Sequence, residues 1–504
     1  MDNKKYDVII IGAGIGGLHA GIYLQSKNPK LKTLIVEGND YPGGYVSGFN
    51  SKGFYFDSGA ESILGYEKSF SANVLDKLDF KHQFHKVEPI EAYYQDDKIV
   101  RMFSDLDKFL EEIRFYYPDQ VEGVRSLIKT SHKIKAEIFR SRLETEKVSI
   151  GKIIRIIFRY PYLRKYGRMN FKQFLEEFIS DERIYEYFNI FCLWFGLKFE
   201  EITAPIAAHI LSSSFTEGLS YPEGGFKSFA RKLADHYISQ GGTIKYDTIA
   251  KKILIKNKNV EGILLEDGTI LQSKVVISNG DLYRTILNYV GEEHFSKKYI
   301  KNIQNLKPSI SGVLLYLGVE DLDLAEYPPH FMVGKNINIV SNVRNDLFDL
   351  EGLGVRIPSN IDPTTNNHKR NSLVVLGITN NKWNNFWKIG KDGKRTSEYR
   401  LLKKDLIEKI IVAIEKVIPN LSKHIVHKRL ATPYTFEKYN LSTDGSWYGP
   451  EANQKLPSFK SPIKNLYFAG SNVGGGGVSA AMTSGIKTAE YVLKKLEKKE
   501  TKES

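Results

Sequence analysis

Near its start the chain reads Tyr6-Asp7-Val8-Ile9-Ile10-Ile11, and Gly12-Ala13-Gly14-Ile15-Gly16-Gly17 follows directly. The nearly continuous apolar run predicts a buried parallel strand, and the apolar residues after the glycines predict a helix. Glycines at such a turn let the chain bend sharply, let the backbone approach a pyrophosphate and let the helix pack closely on the strand. The N–H groups and the dipole of the helix N-terminus favour phosphates. The sequence therefore predicts a dinucleotide site at Gly12, Ala13, Gly14, Ile15, Gly16 and Gly17.

A second apolar run, residues 33–36, ends at Glu37-Gly38. A carboxylate at the end of the second strand of such a unit accepts hydrogen bonds from a ribose and repels a 2′-phosphate. With the strand, the helix and the acidic residue in register, the pattern favours dinucleotide binding. The alternative is a Rossmann-like domain whose glycines serve only packing.

The composition is that of a large globular protein. The chain has 504 residues, of which 41% are hydrophobic and 26% are charged, so we expect two or three domains. Aromatic residues reach 12%, which fits either a broad apolar cavity or simply a large core. The one cysteine, Cys192, excludes an intramolecular disulfide and fits a reducing cytosol.

Targeting and charge narrow the function classes further. The first strand begins at Tyr6, which leaves no room for a signal or transit peptide, and no run of 18 apolar residues occurs. We therefore expect a cytoplasmic protein.

The net charge of +13 favours nucleic acid or anionic lipid as a partner. Because the sequence has no nucleic-acid motif, no P-loop and no zinc-ligand spacing, we expect neither a nucleic-acid partner nor a metal.

Further glycine motifs follow in a fixed order along the chain. They are Pro42-Gly43-Gly44, Gly53-Phe54-Tyr55-Phe56-Asp57-Ser58-Gly59, Tyr221-Pro222-Glu223-Gly224-Gly225, Asn465-Leu466-Tyr467-Phe468-Ala469-Gly470 and the run from Gly474 to Gly477. In these motifs and their order the chain resembles the FAD-dependent carotenoid desaturase, carotenoid isomerase and retinol saturase family, a branch of the amine-oxidase-like flavoproteins. The resemblance spans almost the whole chain.

The resemblance implies an α/β fold, with a Rossmann-like FAD-binding domain of the two-dinucleotide-binding-motif type and an α+β substrate domain. It assigns residues 1–70, 216–290 and 440–504 to the FAD-binding domain, and residues 71–215 and 291–439 to the substrate domain. We expect non-covalent FAD, because no His or Cys lies in the flavin motifs. The resemblance adds these residues to the cofactor site: Gly43, Gly44, Tyr45, Ala250, Gly470, Ser471, Gly477 and Val478.

Three positions depart from the family pattern. Tyr45 stands where many desaturases have Arg, which favours the isomerase and saturase branch. Ala250 replaces the usual Val, but the adenine contact there runs through the backbone. Ser471 stands where amine oxidases carry acidic residues, which argues against amine oxidation. A helix that begins near Val478 is expected to point its N-terminus at the flavin pyrimidine, where its dipole stabilises the negative charge of a reduced flavin.

The implied activity is hydride exchange between the flavin and carbon–carbon double bonds of a long apolar polyene or isoprenoid. The net result is desaturation, isomerisation, saturation or hydration. We assign no catalytic residue, and name His330 and Glu61 only as candidates, for which structural roles are the alternative. Two other functions stay open: an isomerase or oxidoreductase of polyunsaturated fatty acids, which needs Arg or Lys near its cavity, and a non-catalytic carrier of prenyl chains.

The segment 147–175 predicts a peripheral membrane contact. It contains eight bases and no acid, with an isoleucine stripe formed by Ile150, Ile153, Ile154 and Ile157. Basic residues beside an apolar stripe and tyrosines suit an anionic membrane surface. Pro161 is expected to end the helical turn. The alternative is a solvated helix packed on its own domain.

Residues 309–319 alternate in the pattern expected of a strand over the cavity.

Overall fold

The computed structural model describes residues 5–95, 98–141, 158–334, 338–345, 348–365, 370–380, 386–390 and 392–503. Its strands are β1 Lys5–Ile11, β2 Thr33–Val36, β3 Gly48–Ser51, β4 Phe54–Asp57, β5 Ile63–Leu64, β6 Phe84–Val87, β7 Glu91–Gln95, β8 Lys98–Met102, β9 Leu219–Pro222, β10 Thr243–Lys245, β11 Ala250–Lys256, β12 Asn259–Leu265, β13 Ile270–Ser278, β14 Ser311–Glu320, β15 His330–Val333, β16 Leu353–Arg356, β17 Arg370–Thr379, β18 Ile425–Ala431 and β19 Leu466–Phe468.

The α-helices are α1 Ile15–Lys27, α2 Phe70–Asp76, α3 Leu106–Tyr116, α4 Val121–Ser141, α5 Pro161–Tyr166, α6 Phe171–Glu176, α7 Tyr185–Leu193, α8 Ala204–Ser214, α9 Gly225–Ser239, α10 Lys297–Gln304, α11 Ile339–Asn345, α12 Ser397–Glu415, α13 Leu421–His424, α14 Pro433–Asn440, α15 Ser471–Gly474 and α16 Val478–Glu503. The predicted strands at 6–11 and 33–36 and the helix start at Val478 are confirmed.

The first seven-stranded sheet has the order β10-β2-β1-β13-β12-β11, with β19 also paired to β13. Strands β10, β2, β1, β13 and β19 are parallel, whereas β11 and β12 form an antiparallel hairpin. All four residues of β2 are buried, as expected for a parallel sheet covered on both faces. Helix α1 follows β1 as in a Rossmann unit, so the predicted fold class is confirmed.

The second seven-stranded sheet has the order β18-β14-β17-β16-β15-β7-β8 and is antiparallel except for the β15–β7 pair. One of its two ten-residue strands, β14, has nine of its residues buried. The predicted strand over 309–319 is therefore present, but the predicted alternation is wrong, because this sheet is covered on both faces. The strands of the two sheets fall within the predicted FAD and substrate segments, whose boundaries stay a prediction.

The helical stretch before Pro161 ends as predicted, and a new helix begins at that residue. Residues 158–159 are helical, Tyr160 is not, and Pro161 occupies the first position of α5. Proline is tolerated there because its missing N–H has no intrahelical partner in any case. Among the residues described, no helix is both long and apolar enough to cross a membrane.

Candidate flavin site and adjoining pocket

The carboxyl ends of four parallel strands meet at one edge of the first sheet. Ile11 is in register with Val36 on one side and with Ser278 on the other, and Ser278 is in register with Phe468. The residues that follow these strands therefore lie together: Gly12, Glu37, Asn279, Ala469 and Gly470. Ligands of open α/β sheets bind outside the carboxyl ends of the strands. The sequence placed the glycines and Glu37 here, but it did not single out Asn279.

The two paired-glycine loops touch each other across this edge. Gly43 donates its N–H to the carbonyl of Ala13 at 2.9 Å, and Gly14 and Gly43 form a parallel bridge. Gly43 has φ +107°, and a Cβ there would lie 2.2 Å from the carbonyl oxygen of Val46. Only glycine fits this position without a shift of the backbone.

The edge forms a cradle that side chains would fill. A Cβ on Gly14 would lie 2.8 Å from Asn279 Nδ2, and one on Gly470 would lie 2.6 Å from Asn279 Oδ1. Gly477 borders open space, with φ +96° and no atom within 4 Å of a built Cβ. Helix α16 begins at the next residue, Val478. The residues present therefore fit a dinucleotide laid along bare backbone at two helix N-termini.

Glu37 is buried at the end of β2, with 7% of its surface exposed. One carboxylate oxygen accepts the N–H of Ala13 at 2.7 Å, and the other accepts the N–H of Asn39 at 2.9 Å. Burial raises the pKa of Glu37, and these hydrogen bonds partly offset the rise. The side-chain amide of Asn39 also donates to the second oxygen, at 3.0 Å. A carboxylate accepts about four hydrogen bonds, two at each oxygen, so the oxygen bonded to Ala13 keeps capacity for a ribose hydroxyl.

The other predicted cofactor residues lie around the same edge. Ala250 is buried at the start of β11, and Ser471 opens the short helix α15 directly after Gly470. Tyr45 donates its hydroxyl to the carbonyl of Ser446 at 2.8 Å, which fixes the second glycine loop to residues 442–446. Its hydroxyl is therefore already engaged within the protein. Gly38 packs against Ile249 and continues the strand end from Glu37.

A narrow pocket adjoins this cradle and contains both candidate residues, Glu61 and His330. It is lined by Asp57, Gly59, Ala60, Glu61, Tyr221, Leu314, His330, Arg356, Pro358, Ile361 and Val374. The turn that holds Glu61 is bonded to the flavin side at two points: Ala60 donates to the carbonyl of Tyr45 at 2.9 Å, and Ser479 Oγ donates to the carbonyl of Leu64 at 3.1 Å. The pocket therefore lies beside the cradle.

The pocket carries an unusual amount of buried charge. Asp57 accepts hydrogen bonds from the hydroxyls of Tyr55 and Tyr221 and from the N–H of Phe226. Burial raises the pKa of Asp57 to about 6, although the tyrosine bonds lower it. Burial, together with the charge of Arg356, holds the pKa of His330 well below its usual range. His330 is therefore a neutral ring, unsuited to act as an acid near pH 7.

Sequence reasoning missed Arg356 and Glu91, which pair in this pocket wall. Their strands are brought together by the second sheet, in which β15 pairs with both β16 and β7. The only local signal was a charged residue inside the apolar run Gly354-Val355-Arg356-Ile357.

Comparison with known proteins agrees with this geometry. The family model described as flavin containing amine oxidoreductase matches residues 15–321 and 360–493. The chain belongs to this family. It is therefore a flavin-dependent oxidoreductase, and the carotenoid and retinoid branch predicted from the motifs is the one its relatives represent.

Prolycopene isomerase 1 of an Oncidium hybrid cultivar is 27% identical over 520 residues, which cover 97% of this chain and 84% of the relative. All-trans-retinol 13,14-reductase of Danio rerio is 21% identical over 529 residues, covering 97% and 86%. Among solved structures, an oxidoreductase from Methanosarcina mazei matches with a TM-score of 0.67 and 17% identity, covering 97% of this chain and 100% of that one. That structural likeness supports the fold.

Proposed function

We propose that the flavin is FAD, bound non-covalently, and that the enzyme acts on carbon–carbon double bonds of a long apolar polyene or isoprenoid lipid. The observation that carries this proposal is the glycine cradle, which opens beside a pocket lined in part by the apolar side chains of Leu314, Ile361 and Val374. Two of the relatives are named for a carotenoid and a retinoid substrate, which supports a polyene. Flavin chemistry at such a site would move hydride to or from the substrate.

Non-covalent attachment is supported by the positions of the one cysteine and of the histidine on α1. Cys192 is fully buried in the helical core around α7, and His19 is buried within α1 with Nδ1 bonded to the carbonyl of Ile15. The cofactor is tested by heating the purified yellow protein and analysing the supernatant by chromatography. We expect one FAD released per chain. Flavin that stays with the precipitated protein, or FMN in the supernatant, would contradict the proposal.

The reaction is tested by anaerobic incubation with polyenes of 20 to 40 carbons, once with oxidised and once with reduced enzyme. Desaturation requires the oxidised flavin, whereas saturation requires the reduced flavin; an isomerisation leaves the flavin in its starting state. The absence of any changed double bond in either state, with FAD bound, would contradict an action on polyenes. A non-catalytic prenyl carrier would bind the lipid and give that result.

We also propose that the enzyme docks on an anionic membrane surface, from which a polyene would enter. Residues 147–157 of the predicted contact segment, with the isoleucine stripe, lie outside the described residues. In the described part of the segment, two features differ from the prediction of basic and tyrosine side chains at a membrane surface. Lys165 pairs with Glu177 at 2.7 Å, and Tyr160 and Tyr166 are buried. The surface is supported instead by three exposed apolar side chains: Phe139 at 55%, Phe158 at 82% and Ile206 at 37%.

Contacts between neighbouring residues connect the segments that carry these three side chains. Phe139 contacts His209, one turn after Ile206 on α8, with ring centroids 6.0 Å apart. The neighbouring Arg140 accepts a hydrogen bond from the hydroxyl of Tyr160 at its carbonyl, which brings Phe158 to the same end of α4. Exposed aromatic side chains beside arginines such as Arg159 suit a lipid interface.

The docking proposal is tested by co-sedimentation with liposomes that contain phosphatidylserine. We expect Phe139→Ser with Phe158→Ser to reduce binding severalfold while flavin content stays constant. Phe115→Ser is the matched control, since Phe115 is 80% exposed but lies on α3. Equal sedimentation of the double variant and the wild type would contradict the assigned surface.

A further inference from the structure

The pocket wall holds a buried arginine whose charge is fully engaged. Arg356 has 5% of its side chain exposed. Its Nη1 and Nη2 donate to the two carboxylate oxygens of Glu91 at 3.0 Å each, and its Nε donates to Glu61 Oε2 at 2.6 Å. Burial lowers the pKa of Arg356, but the two carboxylates raise it above its usual value, so the guanidinium stays charged.

The two carboxylates of this network differ in their access to the pocket. Glu91 has 1% of its side chain exposed, whereas Glu61 has 23% exposed and lines the pocket. Burial raises the pKa of Glu91 to about 7, so above that pH one guanidinium faces two ionised carboxylates and the formal excess in the network is one negative charge. Because Glu91 accepts two of the hydrogen bonds from Arg356 and Glu61 accepts one, the excess falls on Glu61, the member that a ligand can reach.

We infer that Glu61 is a specificity-determining residue, which masks the charge of Arg356 and selects neutral or hydroxyl-bearing substrate ends over carboxylates. This inference rests on the proposed action on polyene lipids and narrows its substrate class. A substrate carboxylate would approach Glu61 where the effective dielectric is low, and like charges repel there. A hydroxyl would donate a hydrogen bond to Glu61, because a carboxylate accepts about four and Arg356 uses one.

The inference also decides between the two lipid classes left open by the sequence. An enzyme of polyunsaturated fatty acids needs a cation that is free to meet the substrate carboxylate. Among the described residues that line this pocket, Arg356 is the only lysine or arginine. Its Nε, Nη1 and Nη2 all donate to protein oxygens. The pocket therefore favours polyenes without a carboxylate.

The experiment compares all-trans-retinol with all-trans-retinoic acid, which share one carbon skeleton, as ligands of the FAD-loaded enzyme in the same detergent at pH 8.5. Binding is followed by quenching of retinoid fluorescence or by change in the flavin spectrum. We expect the wild type to bind the alcohol about tenfold or more tightly than the acid. Glu61→Gln, which keeps the shape but removes the charge, should reduce that ratio severalfold.

The matched control is Glu320→Gln. Glu320 also pairs with an arginine, Arg370, at 2.6 Å, but it lies at the far end of β14 from the pocket residue Leu314. We expect this variant to keep the wild-type ratio, and thermal unfolding checks that both variants are folded.

Several results would overturn the inference. They are equal or tighter binding of the acid by the wild type, an unchanged ratio in Glu61→Gln, and an equal change in Glu320→Gln. Absence of binding of both probes also overturns it. If Glu61→Gln does not fold, the binding ratio of the wild type alone decides. The proposed function fails separately, through the absence of any double-bond chemistry on a polyene hydrocarbon.

Discussion

The flavin edge and the adjoining pocket are built in different ways. At the flavin edge, short motifs supply bare backbone, and the contacts run through N–H and carbonyl groups of Ala13, Gly43 and their neighbours. In the pocket, side chains from strands far apart in the chain meet, as Glu61, Glu91 and Arg356 do. In the first region, atoms added at the glycines would clash with neighbouring groups. The second depends on charge balance, so substitutions in the two regions should fail in different ways.

The largest expected effect is at the flavin edge. Gly14→Val should abolish flavin binding, because even a Cβ there would lie 2.8 Å from Asn279 Nδ2 and would project into the cradle. The flavin-to-protein absorbance ratio of the purified variant measures this. Gly268→Val is the control for lost stability: its φ of +86° makes a side chain costly, but nothing lies within 4 Å of a built Cβ. Full FAD occupancy in a folded Gly14→Val protein would falsify the assignment.

In the pocket the largest effect should be on stability. Arg356→Met leaves Glu91 buried without its partner, which costs about 3–5 kcal/mol of unfolding free energy. Arg370→Met breaks a pair that is 43% and 34% exposed, and should cost about 1 kcal/mol or less. Urea unfolding of both variants gives the comparison. Similar losses of unfolding free energy in the two variants would contradict the burial of the Arg356 network.

These two regions also differ in how far the sequence predicted them. The glycines and Glu37 follow strands directly, so local periodicity and spacing were enough to place them. Arg356, Glu91 and His330 meet only because β15 pairs with β16 and β7, and no local pattern encodes that pairing. The pairing of Lys165 with Glu177 was missed for the same reason, since that acid lies outside the basic run.

The pH dependence of stability should report the buried carboxyl of Asp57. Its folded pKa of about 6 lies above the usual 3.8, so the folded state takes up a proton first as pH falls. Stability from this group therefore rises as pH falls from about 7 to 4.5, and Asp57→Asn lacks this rise. The difference in unfolding free energy between wild type and variant should change by about 2 kcal/mol over that range. A difference independent of pH would contradict the raised pKa.

A smaller effect is expected from Glu37→Gln. The charge-assisted hydrogen bonds to the ribose should weaken, which lowers FAD affinity by about 1–3 kcal/mol while the fold persists. Fluorescence titration of the apoprotein with FAD measures it. Glu261→Gln, on the exposed face of the same sheet, is the control and should leave the affinity unchanged. Equal affinities for Glu37→Gln and the control would remove Glu37 from the ribose site.

The pocket lies beside the cradle, and we infer that it opens onto the flavin. The flavin difference spectrum on addition of all-trans-retinol tests that connection. The wild type should show a shift of the visible flavin bands. Ala60→Phe places a ring in the pocket and should abolish the shift while one FAD per chain stays bound. Ala325→Phe, at an exposed position, should behave as the wild type. An undiminished shift in Ala60→Phe, or retinol bound to the wild type without any shift, would show that the pocket does not open onto the flavin.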